Sequence, residues 1–297
     1  MGRPTIISLA AGVMAILGLT TSAPATAQTT PPRALTFLEA FKGSEESELR
    51  WPVAVAAASA DEIAVADAYG PRVLRFRRVG VSWQLDSTAQ LSAVPVGLGW
   101  DGNRYVASLR QDGGLVALEG PELLLRPLPL PRGVVPGPLT VLPNGDLLVY
   151  DYAGRRVVRL ADGAELTAEA PIEGAVTALA ATAAGGFLAA VAAQGAVLYF
   201  DANGELSATW HLPASGKIPA WPVGLAVEPG GDVVVVDRHA GRLLVLDATG
   251  RVVGLGSRKG WEPGLLLYPA DLVRLPNGHL LVADEGNGRA QVFRRVD

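Results

Sequence analysis

Histidines and acidic residues are the side chains of this sequence that could take part in catalysis or bind a metal, and few of them are spaced for either role. The chain has three histidines and no cysteine, so a zinc site would need the imidazoles of His211, His239 and His279 to meet in one place. The sequence contains no G-x-S-x-G motif, paired-histidine metal motif, phosphate loop or calcium loop. We therefore predict no catalytic residue, no metal site and no bound cofactor.

An Asp followed five residues later by an Arg occurs four times along the chain. A catalytic pair is normally needed once, so the repetition favours a structural role. In that role each Asp accepts backbone N–H groups of its own loop, and the Arg crosses the loop to the carboxylate. The pairs are Asp67 with Arg72, Asp151 with Arg156, Asp237 with Arg242, and Asp284 with Arg289.

These pairs recur because a longer unit of the chain repeats. Five copies of the unit begin at an X-Pro dipeptide, and one copy lacks the Pro. Each copy of about 43 residues contains Gly-bearing turns between runs rich in β-branched residues, a pattern typical of four antiparallel strands. Six copies predict an all-β fold, a six-bladed β-propeller with four antiparallel strands per blade. The repeats start near residues 51, 94, 135, 175, 221 and 268.

The two ends of the repeating region complement each other. The sixth copy ends after its third strand, and the segment 33–43 before the first copy resembles a fourth strand without a blade. We predict that this N-terminal strand closes the last blade, which leaves a ring without open ends. Residues 28–297 then form a single propeller domain.

Residues 1–27 have the layout of a secretory signal peptide. Arg3 precedes an apolar segment at 6–19, and a run of small residues ends at Ala27. The apolar segment is shorter than the roughly 20 residues of a membrane helix. We expect cleavage before Gln28, a periplasmic or secreted protein, and no integral membrane segment in the mature chain. A retained membrane anchor is the alternative.

The repeat resembles that of the NHL-repeat propellers. The family pattern is a Pro, a strand, a Gly turn, a strand ending in Asp, a short loop and an Arg. It is matched by "WPVGLAVEPGGDVVVVDRHAGRLLVLD" and "YPADLVRLPNGHLLVADEGNGRAQVF". The resemblance covers residues 33–296 and implies a six-bladed propeller of the exported bacterial type. It is weaker in the second and fourth repeats, where Ser108 and Val191 replace the Asp.

Similar propellers include lyases that release amidated peptides with several His on a zinc. Others resemble gluconolactonase or strictosidine synthase and have acidic groups around the axis. This sequence departs from both patterns. His239 and His279 are expected on opposite faces, so one zinc does not collect all three histidines. Asp271 is the one carboxylate among the six equivalent positions near the axis, which is too few for a divalent metal. Asp271 either contacts a ligand or bonds nearby backbone N–H groups.

Aromatic and basic residues are concentrated in segments expected on one face of the propeller. This face carries the loops between second and third strands and the linkers between blades. Trp51, Trp221 and Tyr268 precede Pro residues, and they either pack over the inner strands or line the mouth of the central channel. Most of the aromatic and polar residues expected on this face belong to blades five, six and one, which adjoin in a ring. The candidate ligand-binding residues are Trp261, Tyr268, Asp271, Trp221, Trp51, His239, Arg258 and Lys259.

Composition narrows the class of partner. A net charge of −4 at pH 7 argues against nucleic acid, whose binders show a basic surface. We expect an exported, monomeric, non-catalytic binding or scaffold protein that recognises a protein, a peptide or a glycan with one propeller face. The alternative is a propeller hydrolase or lyase with a site in the central channel.

Overall fold

Antiparallel strands account for nearly all regular structure of the protein. The computed structural model describes residues 34–110, 114–161 and 165–296, and the predicted signal peptide at 1–27 lies outside these ranges. The described strands form six sheets of four strands each. The predicted six-bladed β-propeller with four antiparallel strands per blade is therefore confirmed.

Each blade except the last uses four consecutive strands. Blades one and two contain β2 (Pro52–Ala57), β3 (Glu62–Asp67), β4 (Arg72–Val79), β5 (Ser82–Gln90), β6 (Pro95–Trp100), β7 (Tyr105–Leu109), β8 (Gly114–Glu119) and β9 (Leu124–Leu128). Blades three and four contain β10 (Pro136–Val141), β11 (Leu147–Asp151), β12 (Arg156–Ala161), β13 (Glu165–Pro171), β14 (Val176–Ala181), β15 (Phe187–Val191), β16 (Ala196–Phe200) and β17 (Leu206–His211). Blades five and six contain β18 (Pro222–Val227), β19 (Val233–Asp237), β20 (Arg242–Leu246), β21 (Val252–Gly256), β22 (Asp271–Arg274), β23 (Leu280–Asp284), β24 (Arg289–Arg295) and β1 (Leu35–Phe41).

The blades form a closed ring around an axis. The first strand of each blade contacts the first strand of the next, and β22 of blade six contacts β2 of blade one. Hydrophobic clusters of described residues lie between every two neighbouring blades around the ring. The second strands are buried on both faces because each blade packs against two neighbours, which explains their continuous apolar runs.

The N-terminal strand closes the ring as predicted. Strand β1 lies at the edge of blade six and pairs antiparallel with β24, with Leu35 opposite Arg295 and Phe41 opposite Ala290. Leu35 is fully buried in the cluster between blades five and six. At the other end of the strand, the ring of Phe41 lies 5.2 Å from that of Phe76 in blade one. One strand thus holds three blades together.

None of the helices in the described part of the chain is long and apolar enough to cross a membrane.

Candidate functional site

The four Asp–Arg pairs are structural, as predicted from their repetition. In blade one, the buried carboxylate of Asp67 accepts hydrogen bonds from the N–H groups of Trp51 (2.9 Å) and Tyr69 (3.0 Å) and from the guanidinium of Arg72 (3.0 Å). Arg72 also donates to the carbonyl of Glu48, which lies in the segment before the blade. Each pair therefore fixes the start of its own blade, and the side chains around it are held in place.

The pair of blade six belongs to a larger polar network. The carboxylate of Asp284 accepts hydrogen bonds from Arg289 (2.9 Å), Asn287 (2.7 Å) and Gln291 (2.8 Å). Burial raises the pKa of Asp284, although its hydrogen bonds and the charge of Arg289 act in the opposite direction. Asn287 also donates to the carbonyl of Gly260, at 3.1 Å, and so ties this network to the linker between blades five and six.

A cavity of about 320 Å³ lies on the axis, inside the ring of first strands. Small and aliphatic side chains make up most of its wall. Among the described lining residues, Asp271 is the one carboxylate, and Arg274 is engaged in an ion pair with Glu228 (3.4 Å). Small side chains thus surround the cavity, and Asp271 is the one acidic group among its described lining residues.

Asp271 bonds backbone groups of two blades. One carboxylate oxygen accepts a hydrogen bond from the N–H of Leu272 (2.8 Å), and the other from the N–H of Val55 in blade one (3.0 Å). Burial raises the pKa of the Asp271 carboxyl to about 7, although the two N–H donors lower it. This carboxylate connects the first strands of blades six and one, so it has a structural role at the point where the ring closes.

The histidines do not form a metal site in the described part of the chain, where no three His, Cys, Asp or Glu side chains cluster. His211 and His239 line a common pocket between blades four and five. His279 lies in the turn between β22 and β23, at the opposite end of the strands. Two of the three imidazoles thus line one pocket.

The face with the linkers and the loops between second and third strands is called the linker face below. On blade one it carries Trp51, which is 55% exposed, and Tyr69. Their rings meet edge to face at 5.5 Å, and the guanidinium of Arg50 lies 4.4 Å from the centre of the Tyr69 ring. Trp51 therefore packs beside the inner strand and still presents more than half of its surface to solvent.

Tyr268 occupies the equivalent position before blade six. Two cations lie near its ring, the ammonium of Lys259 at 4.5 Å and the guanidinium of Arg238 at 5.7 Å from the ring centre. Arg238 donates to the carbonyl of Tyr268 (2.9 Å) and forms an ion pair with Glu285 (2.7 Å). The backbone of Tyr268 has a φ of +47°, which is unfavourable for a residue with a bulky side chain.

Trp221 occupies the corresponding position before blade five. Its ring stacks on the imidazole of His239, with 4.8 Å between centroids and 24° between planes. Both rings line the pocket between blades four and five, whose volume is about 360 Å³. In the linker between blades five and six, Trp261 is 74% exposed, and Arg258 is exposed as well.

These groups form one continuous surface across blades five, six and one. Arg238 of blade five contacts Tyr268, and Glu285 links it to the loop of blade six. That loop continues to Gly288, which is packed so closely against the backbone of Arg50 that a Cβ there would lie 3.2 Å from the Arg50 carbonyl. Asp271 lies apart from this surface, in the axial cavity.

Sequence reasoning did not single out Arg50, Arg238 or His211 as site residues. Arg238 follows the Asp that ends the second strand of its repeat and stands in a loop expected on this face, so its position was a usable signal. His211 ends an outer strand, and its approach to His239 depends on the path of the linker between blades four and five. Tyr152 of blade three is another exposed aromatic residue on the linker face, outside the three-blade surface.

Comparison with known proteins adds to this geometry. The model of the NHL repeat matches residues 266–293, which span the end of the last linker, β22, β23 and most of β24. The sixth blade is an NHL repeat. No curated protein matches the chain in sequence.

Solved structures with a similar fold include two enzymes and a WD40 β-propeller domain. A gluconolactonase from Xanthomonas campestris has a TM-score of 0.66 and 16% identity, with 91% of this chain and 96% of that chain covered. An inactive virginiamycin B lyase from Staphylococcus aureus, in complex with quinupristin, has a TM-score of 0.60 and 12% identity, with 88% of each chain covered. The WD40 β-propeller domain of Doa1 has a TM-score of 0.57 and 13% identity, with 88% of this chain and 97% of that chain covered. Identities this low establish the fold of the chain and leave its activity open.

Proposed function

We propose that the protein is an exported binding protein that recognises a protein, a peptide or a glycan with the linker face of blades five, six and one. The observation that carries this proposal is the group of aromatic rings on that face. Trp51, Trp221 and Tyr268 are each fixed by a ring or cation contact, and Trp261 is 74% exposed. We further propose that residues 1–27 direct export, so that the mature protein acts in the periplasm or outside the cell.

Several exposed aromatic side chains on one surface are typical of a binding site. Trp and Tyr supply large contact area with little conformational entropy to lose, and they dominate the energetics of binding sites. Trp261 is 74% exposed, so the stability of the fold depends little on its side chain. Tyr268 keeps an unfavourable backbone conformation, and strain of this kind tends to occur at functional positions.

A hydrolase or lyase with its site in the axial cavity is the second candidate. Asp271 favours it, because a carboxyl with a pKa of about 7 is suited to proton transfer near neutral pH. Both carboxylate oxygens already accept backbone hydrogen bonds, which favours a structural role instead. Metal analysis of the purified protein separates the candidates. One equivalent of zinc or calcium, with hydrolysis that Asp271→Asn abolishes, would favour the enzyme.

The binding proposal is tested on the full chain in its native cell envelope. A photo-crosslinking amino acid at position 261 should capture a partner, and the same amino acid at position 206, on the outer strand β17, should not. In a binding assay with that partner, Trp261→Ala should weaken affinity by about 2 kcal/mol and leave the melting temperature unchanged. Leu206→Ala is the matched control, because Leu206 is also well exposed. Equal capture at both positions, or unfolding of Trp261→Ala, would show that the proposed face is wrong.

A further inference from the structure

The pocket between blades four and five has the size and lining of a small-ligand site. Its volume of about 360 Å³ lies at the lower end of the roughly 300–1,000 Å³ that such sites span. Most of its wall is apolar, and a few polar rings stand around it. The apolar wall is formed by Ala192, Ala193, Leu212, Ala214, Pro219 and Ala220.

Three nitrogen-bearing rings line this pocket. Trp221 and His239 form one side as a near-parallel stack, and the exposed imidazole of His211 contributes another part of the lining. Within the described residues, the ring nitrogens of these three side chains make no hydrogen bond. An indole N–H only donates, and a neutral imidazole donates through one nitrogen and accepts through the other. The pocket therefore offers up to three ring donors to a ligand.

The charges around the pocket indicate which ligand these donors suit. No acidic residue is among the described residues that line it, so a cationic ligand would find no counter-charge there. Asp237, whose carboxylate accepts a hydrogen bond from the N–H of Trp221 (3.0 Å), is fully buried and engaged with Arg242 (2.9 Å). A carboxylate accepts hydrogen bonds through both oxygens, and bonds with an ionised partner are stronger than those between neutral groups.

We propose that this pocket binds an apolar group that carries a carboxylate. The apolar part lies against the alanine, leucine and proline wall, and the carboxylate accepts hydrogen bonds from the rings of His211, His239 and Trp221. A free aromatic or branched-chain acid and the C-terminal residue of a peptide share this chemistry. The site opens on the linker face, so the inference deepens the proposed binding function and rests on it only for the identity of the natural ligand.

The test uses the full chain and small probes in ligand-observed NMR titrations. N-acetylphenylalanine carries the carboxylate, N-acetylphenylalaninamide lacks it, and phenethylamine carries a cation instead. The acid should bind at least about ten-fold more tightly than the amide, because a hydrogen bond to a charged group contributes more than one to a neutral group. Comparison with phenylacetate distinguishes the two sources, since only a site for a peptide terminus should prefer the N-acetylated acid.

Variants of the pocket and a matched histidine control complete the test. His211→Ala and His239→Ala should each weaken binding of the acid about three- to ten-fold. His279→Ala makes the same change on the opposite face and should bind like the parent. Ala193→Trp places a large ring at an exposed position of the lining and should abolish binding without unfolding the protein.

Several results would overturn the pocket assignment. The acid and the amide could bind equally, or the amine could bind more tightly than the acid. Both pocket histidine variants could bind the acid with the affinity of the parent. The acid could also show no saturable binding at about 10 mM, a concentration at which fragments of this size bind. Trp261→Ala should leave binding of the probe unchanged. If the parent captures no partner through position 261 and still binds the acid, the larger surface is wrong and the pocket stands. If it captures a partner through position 261 and does not bind the acid, the pocket is wrong and the larger surface stands.

Discussion

The contribution of the closing strand to stability is tested most directly at Leu35. This side chain is 0% exposed and packs in the cluster between blades five and six. Strand β21 of blade five has glycine where Leu35 approaches it, since a Cβ on Gly256 would lie 2.6 Å from the Cβ of Leu35. Leu38, three residues further along the same strand, is 38% exposed and gives a matched control.

The magnitudes follow from burial. Leu35→Ala removes a fully buried side chain from between strands β1 and β21. Because the backbones of these strands are held in place, the cavity stays open, and we expect a loss of about 3 kcal/mol in the free energy of unfolding. Leu38→Ala should cost less than about 1 kcal/mol, because much of the side chain is already in water. Removing residues 28–43 would also take away the hydrogen bonds to β24, and the total is on the order of 10 kcal/mol. A domain has only about 5–15 kcal/mol to lose, so the truncated protein should not fold.

Urea unfolding followed by tryptophan fluorescence measures these differences. The two leucine variants should have the same m-value as the parent and different midpoints. Addition of a synthetic peptide of residues 33–43 to the truncated chain should restore a cooperative transition if the strand is all that is missing. Equal midpoints for Leu35→Ala and Leu38→Ala, or a truncated protein that melts near the parent temperature, would refute the account of ring closure.

Three further predictions concern the Asp–Arg pairs, the axial carboxylate and export. Arg242→Ala leaves the buried Asp237 without its cation and should lower the free energy of unfolding in urea by about 3 kcal/mol. Arg251→Ala removes an exposed ion pair at the opposite end of the blade and should change it very little. Equal losses in the two variants would contradict the structural role of the Asp–Arg pairs. The native pKa of Asp271 is about 7 and lies above its unfolded value, so its protonation stabilises the fold at low pH, and this stabilisation is lost as pH rises through 7. Asp271→Asn should therefore remove part of the fall in melting temperature between pH 5 and pH 8, and an unchanged profile would rule out this contribution. Mass spectrometry of the mature protein should find an N-terminus at or near Gln28, and an intact chain in the membrane fraction would favour the retained anchor.

The strands could be predicted because their boundaries depend on local sequence. A Pro precedes the first strand, Gly-bearing turns separate the next, and an Asp ends the second strand in four of the six repeats. Strands β3, β11, β19 and β23 end at these Asp residues. The closing strand was predictable for a different reason: a blade with three strands leaves an unpaired edge, and one segment of suitable length remained.

The arrangement of side chains within the site could not be predicted in the same way. The first strands of five blades carry a register shift near their start, for example between Pro52 and Ala54, and β22 does not share it. The Trp221–His239 stack and the shared pocket of His239 with His211 depend on how one linker crosses between two blades. Repeat patterns describe each blade alone, so they contain no information about contacts of this kind.

The irregular fourth repeat nevertheless explains why the pocket is there. Val191 stands where Asp237 stands in blade five, so Ala192 corresponds to Arg238. In blade five, Arg238 reaches over the ring of Tyr268 at the start of the next blade, and an ion pair holds it there. In blade four the equivalent side chain is a methyl group, so the space beside Trp221 stays open and becomes part of the pocket. The departure from the repeat thus removes a contact that the fold makes elsewhere, and it opens room for a ligand at the same point.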